Sequence, residues 1–177
     1  MGEPRAERRL QEFNDAWAIR FEAEARELRR ALQSVAIDVH HVGSTAVPGM
    51  PGKGIIDILL TVQSLTPKEA YATALHELGY IERPVPRPDS PFFTKPEVKP
   101  RDFNMHIAVV GSPREVSMLA FRDYLRSHPA EASRYAEVKR RLARGESPDW
   151  ASYGDGKHSF VTELERQSLE WVHRKQS

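Results

Sequence analysis

The stretch from Val39 to Leu60 constrains this chain most. Val39-His40-His41-Val42 reads as the end of one strand. Ile55, Ile56, Ile58, Leu59 and Leu60 read as a second, apolar and rich in β-branched residues, as expected of a strand covered on both faces. Between them lie Gly43, Gly49, Gly52 and Gly54, with Pro48 and Pro51. Glycine admits positive φ and lets backbone N–H groups come close to a ligand, while proline stiffens the path. One carboxylate, Asp57, interrupts the apolar strand. An unanswered charge there is costly, so either a partner compensates it or the strand opens onto a cleft. Ser44, Thr45 and Lys53 add donors to the loop, enough to cradle a phosphate or another anion. The spacing is not that of a Walker A loop. A structural turn beside a satisfied aspartate would explain the glycines and prolines alone. A Gly-Ser opening, a lysine and a strand aspartate together point to a site.

The flanking segments supply a frame for that unit. Leu10, Phe13, Trp17, Phe21, Ala25, Leu28 and Leu32 recur at steps of three or four. That predicts one amphipathic helix from about Pro4 to Gln33, bent near Asn14-Asp15. Its arginines alternate with glutamates and make a solvated face rather than a nucleic-acid patch. Val35 to Val42 is the first strand, placed to pair antiparallel with the Asp57 strand. Thr66-Pro67 predicts a helix start, with Thr66 as cap, and Gly79 a helix end. Tyr80-Ile81-Glu82 is the next strand. Six prolines between Arg83 and Pro100 leave room for an edge strand at most, at Phe92–Lys95, and suit a flap over a site. Phe103 to Val110 is a further strand. Helices are predicted from Ser112-Pro113 to before Pro129, from Ala130 to Ala143, and from after Gly156 onwards. Strands in the middle with helices before and after make an α+β fold: a small mixed or antiparallel sheet flanked by helices, in one domain over 1–177.

Composition narrows the function classes. At 177 residues, one domain with a real core fits and two do not. A formal net charge of +1 gives no global drive towards nucleic acid or membrane, so any basic patch must be local, and the donors of the Gly-rich loop point to a small anionic ligand. The absence of cysteine excludes disulfides and thiolate metal sites. No apolar run reaches bilayer length and the N-terminus is charged rather than signal-like, so a cytoplasmic location is expected. Oligomeric state is not legible.

The segment His41-Val-Gly-Ser-Thr-Ala-Val-Pro-Gly, followed by Lys53-x-Ile-Ile-Asp57-Ile, resembles the signature of the GrpB-like (UPF0157) proteins, which are similar to the nucleotidyltransferase superfamily. The resemblance continues through Asn104-Met-His106-Ile, Phe121 to Pro129, Tyr135-x-x-x-Lys139 and Tyr153-x-x-x-Lys157. It implies a nucleotidyltransferase-like fold and metal-dependent nucleotidyl transfer. There, two strand carboxylates in Asp-x-Asp spacing share one face and hold cations across the reacting phosphoryl group. This chain has Gly43-Ser44 and Asp57, but Leu59 stands where the second carboxylate is expected. One carboxylate holds Mg²⁺ or Mn²⁺ weakly unless other ligands complete the shell.

His106 is the candidate to complete it, as metal ligand and catalytic group with Asp57; an imidazole would admit Zn²⁺ or Ni²⁺. A hydrogen bond from His106 to Asp57 would equally explain the tolerated charge. Of His40 and His41, adjacent on a strand, only one can face the site. Gly43, Ser44, Thr45, Lys53, Arg101, Lys139 and Lys157 are the candidate phosphate-binding residues, with Arg122 and Tyr153 beside them. The rival reading keeps the fold without catalysis, as a module binding a nucleotide or other anion. Because some family members are fused to dephospho-CoA kinase, the resemblance also allows a coenzyme-A-related accessory role.

Overall fold

In the computed structural model, residues 9–84, 90–96, 101–145 and 155–176 are described. Strands β1 (Ala36–Val42), β2 (Ile56–Val62), β3 (Ile81–Arg83), β4 (Phe92–Lys95) and β5 (Phe103–Val109) form one sheet in the order β1-β2-β5-β4-β3. β1 runs antiparallel to β2, as expected, and β2 runs parallel to β5; β4 is antiparallel to both β5 and β3. The fold is therefore the α+β architecture with a mixed sheet.

Period-two burial divides the sheet into two faces. Ile56, Ile58, Leu60 and Val62 of β2, with Met105 and Ile107 of β5, pack against helix α1 (Ala16–Leu32) and helix α2 (Glu69–Glu77) through Trp17, Phe21, Leu28, Tyr71 and Leu75. The opposite face carries Asp57, Leu59, Asn104 and His106. Leu59, with Val42 and Ala108, is sealed there by Met118 and Leu119 of α3 (Pro113–Ser127). A separate cluster joins Val47 and Met50 of the Gly-rich loop to α3, α4 (Pro129–Ala143) and α5 (Asp155–Gln176), through Tyr124, Leu125, Tyr135, Ala136 and Leu164. The loop is thus wedged between the sheet and the helical last third.

Four expectations need correction. The first helix does not extend from Pro4: it begins at Ala16, behind an Asn14 side chain that accepts a hydrogen bond from the Ala16 N–H at 2.9 Å. Leu10 and Phe13 precede it, and Gln11 instead forms a two-way backbone bridge with Gly52 of the loop; residues 1–8 lie outside the described residues. Helix α2 starts at Glu69, not beside Pro67, because the Ser64 hydroxyl and the Thr66 backbone close a local turn first. β4 is not an edge strand. It lies between β5 and β3, since Pro91 and Pro96 flank the strand and leave its ladder donors intact. Of the expected flap, residues 85–89 and 97–100 lie outside the described residues; Phe92–Lys95 belongs to the sheet instead.

Candidate functional site

β2 carries Asp57 into the floor of a cleft of about 760 Å³, lined also by Arg9, Ser44, Lys53, Asn104, Tyr135 and Lys139. Gly43 passes directly over the carboxylate. A Cβ at Gly43 would stand 2.5 Å from Asp57 Oδ2, and its φ of +70° with ψ of −169° lies in a region essentially reserved for glycine. The loop's first glycine is therefore required twice, by conformation and by close approach.

The expected partner of Asp57 was His106. Asn104 takes that place, directly opposite Asp57 in the parallel register, and its Nδ2 donates to Asp57 Oδ1 at 2.9 Å. His106 sits one pleat further along, opposite Leu59, under the Phe92 ring and beside the Arg114 guanidinium. Burial and the Arg114 charge lower its pKa to about 4. Burial acts on Asp57 in the other sense and raises its pKa to about 6, against the pull of Asn104 and Lys139. Asn104 Oδ1 is buried with no hydrogen-bond partner. The signal for Asn104 was its place in Asn104-x-His106, which puts both residues on one face of β5.

Lys139 reaches the cleft from α4. Its ammonium donates to Ser44 Oγ and to the Pro51 carbonyl, 5.4 Å from the Tyr135 ring centroid. The four-residue spacing of Tyr135 and Lys139 puts both on the cleft side of the helix. Lys53 is exposed at the rim. Thr45 also lines the cleft but is buried, and its hydroxyl is engaged beneath the loop: its Oγ1 meets His41 Nε2 at 2.9 Å, and the His41 ring stacks on Phe21 with centroids 4.6 Å apart. Of the two histidines, His41 thus supports the loop from beneath, while His40 lies 3.6 Å from Asp38. Arg126 donates to the Ala46 carbonyl at 2.8 Å, and Arg122 to the His41 carbonyl at 3.1 Å while pairing with Asp123.

Arg101 precedes β5 and is not among the residues lining the cleft; its Nε is buried without a hydrogen bond. The side chain of Lys157 and all of Tyr153 lie outside the described residues. The assembled site is thus Gly43, Ser44, Lys53, Asp57, Asn104, Tyr135 and Lys139: one carboxylate, one amide, donors from a lysine-bound loop, and a buried phenol.

Residues 7–167 match the family model described as GrpB protein. The chain belongs to the GrpB family. A UPF0157 protein from Halalkalibacterium halodurans is 37% identical over 162 residues, covering 90% of this chain and 81% of that protein. A dephospho-CoA kinase from Mycobacterium leprae is 31% identical over 165 residues, but this GrpB-family chain spans only 40% of its length. Among solved structures, the conserved protein GrpB from Enterococcus faecalis superposes with a TM-score of 0.81 at 30% identity, covering 92% of this chain and 98% of that one. The Cid1 poly(U) polymerase bound to MgATP superposes with a TM-score of 0.53 at 17% identity, over 75% of this chain and 44% of its own. That likeness identifies the fold as nucleotidyltransferase-like. Among the described residues, no helix is long and apolar enough to cross a membrane.

Proposed function

We propose that the cleft binds the phosphates of a nucleotide together with one divalent cation on Asp57. The observation that carries the reading is the floor of the cleft. A carboxylate lies there under a glycine that leaves room for nothing larger, with a serine and a lysine poised beside it.

The donor set fits a hard cation. Asp57 offers carboxylate oxygen and Asn104 an amide oxygen that is buried and unpartnered. Mg²⁺ and Mn²⁺ favour oxygen and take the rest of their shell from phosphate and water. His106 lies with Phe92 and Arg114 and does not line the cleft, so nothing in this donor set favours Zn²⁺ or Ni²⁺. When bound, the cation would neutralise phosphate charge and polarise a phosphoryl group.

The chain's own residues supply the rest. Lys139 exchanges its Ser44 and Pro51 contacts for phosphate oxygens, Lys53 draws the anion in from the rim, and Gly43 admits it to within reach of Asp57. A second cation has no anchor on β2, because Leu59 is fully buried under α3. The reading is therefore metal-dependent nucleotide binding, and two-metal nucleotidyl transfer has no support from this face.

A calorimetric and thermal-shift panel of nucleoside triphosphates, coenzyme A and dephospho-coenzyme A, with and without Mg²⁺ or Mn²⁺, tests it. The mycobacterial relative's name is the reason to include the coenzyme-A compounds. A ligand at about 100 times its Kd should add about 2.7 kcal/mol of stability. Asp57→Asn should abolish the metal-dependent part and Lys139→Ala should weaken both parts. No shift with any ligand would refute the reading.

A further inference from the structure

We infer that this cleft accepts a divalent cation only together with a polyphosphate, and that Asn104, a neutral amide beside the single carboxylate, sets that dependence. The inference rests on the nucleotide-binding reading above and specifies how the two ligands are linked.

The charge of the lining comes first. Among the described residues, Arg9, Lys53 and Lys139 are cationic and Asp57 alone is acidic, three against one, so the cleft carries a net of two positive charges. A bare divalent cation is repelled by such a lining, whereas a metal–triphosphate complex, with roughly two negative charges, complements it.

The second observation is the orientation of the Asn104 amide. An ionised carboxylate only accepts hydrogen bonds, so Nδ2 must face Asp57 Oδ1, and Oδ1 is left on the other side of the amide. That oxygen is buried and has no partner. An orphaned acceptor is costly to bury, and a turn of the amide that presents Oδ1 to a cation on Asp57 in place of the Nδ2 hydrogen bond relieves the cost. The amide contributes a lone pair and no charge, so the protein offers a cation one formal negative charge. On β2 the next residue of the same face is Leu59, sealed under Met118 and Leu119, which cannot add another. Phosphate oxygens must supply what is missing.

Linkage makes this measurable, because the factor by which nucleotide raises metal affinity equals the factor by which metal raises nucleotide affinity. Mn²⁺ binding to the protein is followed by electron paramagnetic resonance, alone and with ATP or inorganic tripolyphosphate, and polyphosphate binding is followed by calorimetry with and without Mn²⁺. The expected result is at least about a tenfold mutual enhancement, with little saturable binding of Mn²⁺ alone. Asn104→Asp should raise the affinity for bare Mn²⁺ at least about tenfold and shrink the enhancement. Asn104→Ala, checked for folding by its unfolding transition, should lower the enhancement, read as a larger loss of metal-bound than of metal-free tripolyphosphate affinity.

Bare Mn²⁺ binding as tight as the ternary complex would overturn the inference, as would bare-Mn²⁺ affinity in folded Asn104→Asp that equals the wild type. Equal loss of metal-free and metal-bound ATP affinity in Asn104→Ala would also overturn it, making Oδ1 an acceptor for a ligand hydroxyl. ATP bound equally well with and without metal would defeat this linkage and leave nucleotide binding standing. If no member of the ligand panel bound under either condition, both readings would fall.

Discussion

Gly43 and Asp57 are a pair in which each fixes the other. Asp57 is held at a pKa of about 6 by burial, above the ordinary value of 3.8. The native state therefore binds its proton more tightly than the unfolded chain does, and stability falls as pH rises from 3.8 through 6. Asp57→Asn removes that cost, keeps a side-chain oxygen for Asn104, and should stabilise the protein by about 1–3 kcal/mol at pH 7. The gain should vanish towards pH 4, which urea unfolding at the two pH values measures. Gly43→Ala should do the opposite at every pH. It forces a methyl to within 2.5 Å of the carboxylate at a glycine-only φ and ψ, and should cost at least about 1–3 kcal/mol.

At this scale the sequence made Gly43, Ser44 and Asp57 visible, because glycine in a loop and a charge in an apolar strand are both exceptions that demand a cause. It did not reveal which β5 residue answers Asp57. Asn104 and His106 have the same parity, and only the parallel register decides that Asn104 stands opposite.

Among the elements, β4 is tied to α1 by a buried polar triad. Glu24 of α1 accepts from Lys95 Nζ at 2.8 Å and from the Tyr80 hydroxyl at 3.0 Å, while the Lys95 ammonium lies 5.4 Å from the Tyr80 ring centroid. Glu24 is 8% exposed, so removal of the lysine strands a nearly buried carboxylate. Lys95→Met should destabilise by about 2–3 kcal/mol. Glu24→Leu combined with Lys95→Met should restore most of the loss, and a double-mutant cycle from chemical denaturation tests the coupling. β4 sits inside the sheet because Pro91 and Pro96 flank it rather than interrupt it, which proline counting alone does not disclose. The start of the first helix is likewise hidden from its hydrophobic period. Leu10 and Phe13 keep helical spacing with Trp17, but that period is blind to a segment whose backbone is claimed by a distant loop, as Gln11 is by Gly52.

For the molecule as a whole, His41 is the point where layers meet. It lies on β1, stacks on Phe21 of α1, bonds Thr45 of the loop, and through its carbonyl receives Arg122 of α3. Burial, with the charges of Arg126 and Arg122, lowers its pKa to about 4. The unfolded chain then binds the His41 proton more tightly, so this contribution to stability is complete above about pH 6.5 and is lost as pH falls towards 4. His106 acts with the same sign and Asp57 with the opposite one. Two histidines outweigh one carboxylate, and the protein should lose stability between pH 7 and pH 4.5. His41→Gln keeps a polar side chain beside Thr45 but cannot take up the proton, and should flatten that loss by roughly 1–3 kcal/mol while lowering stability at pH 7. The measurement is the unfolding midpoint of wild type and variant across that range. Parallel pH profiles for the two would show that His41 is not the group through which acid loosens the seam beneath the Gly-rich loop.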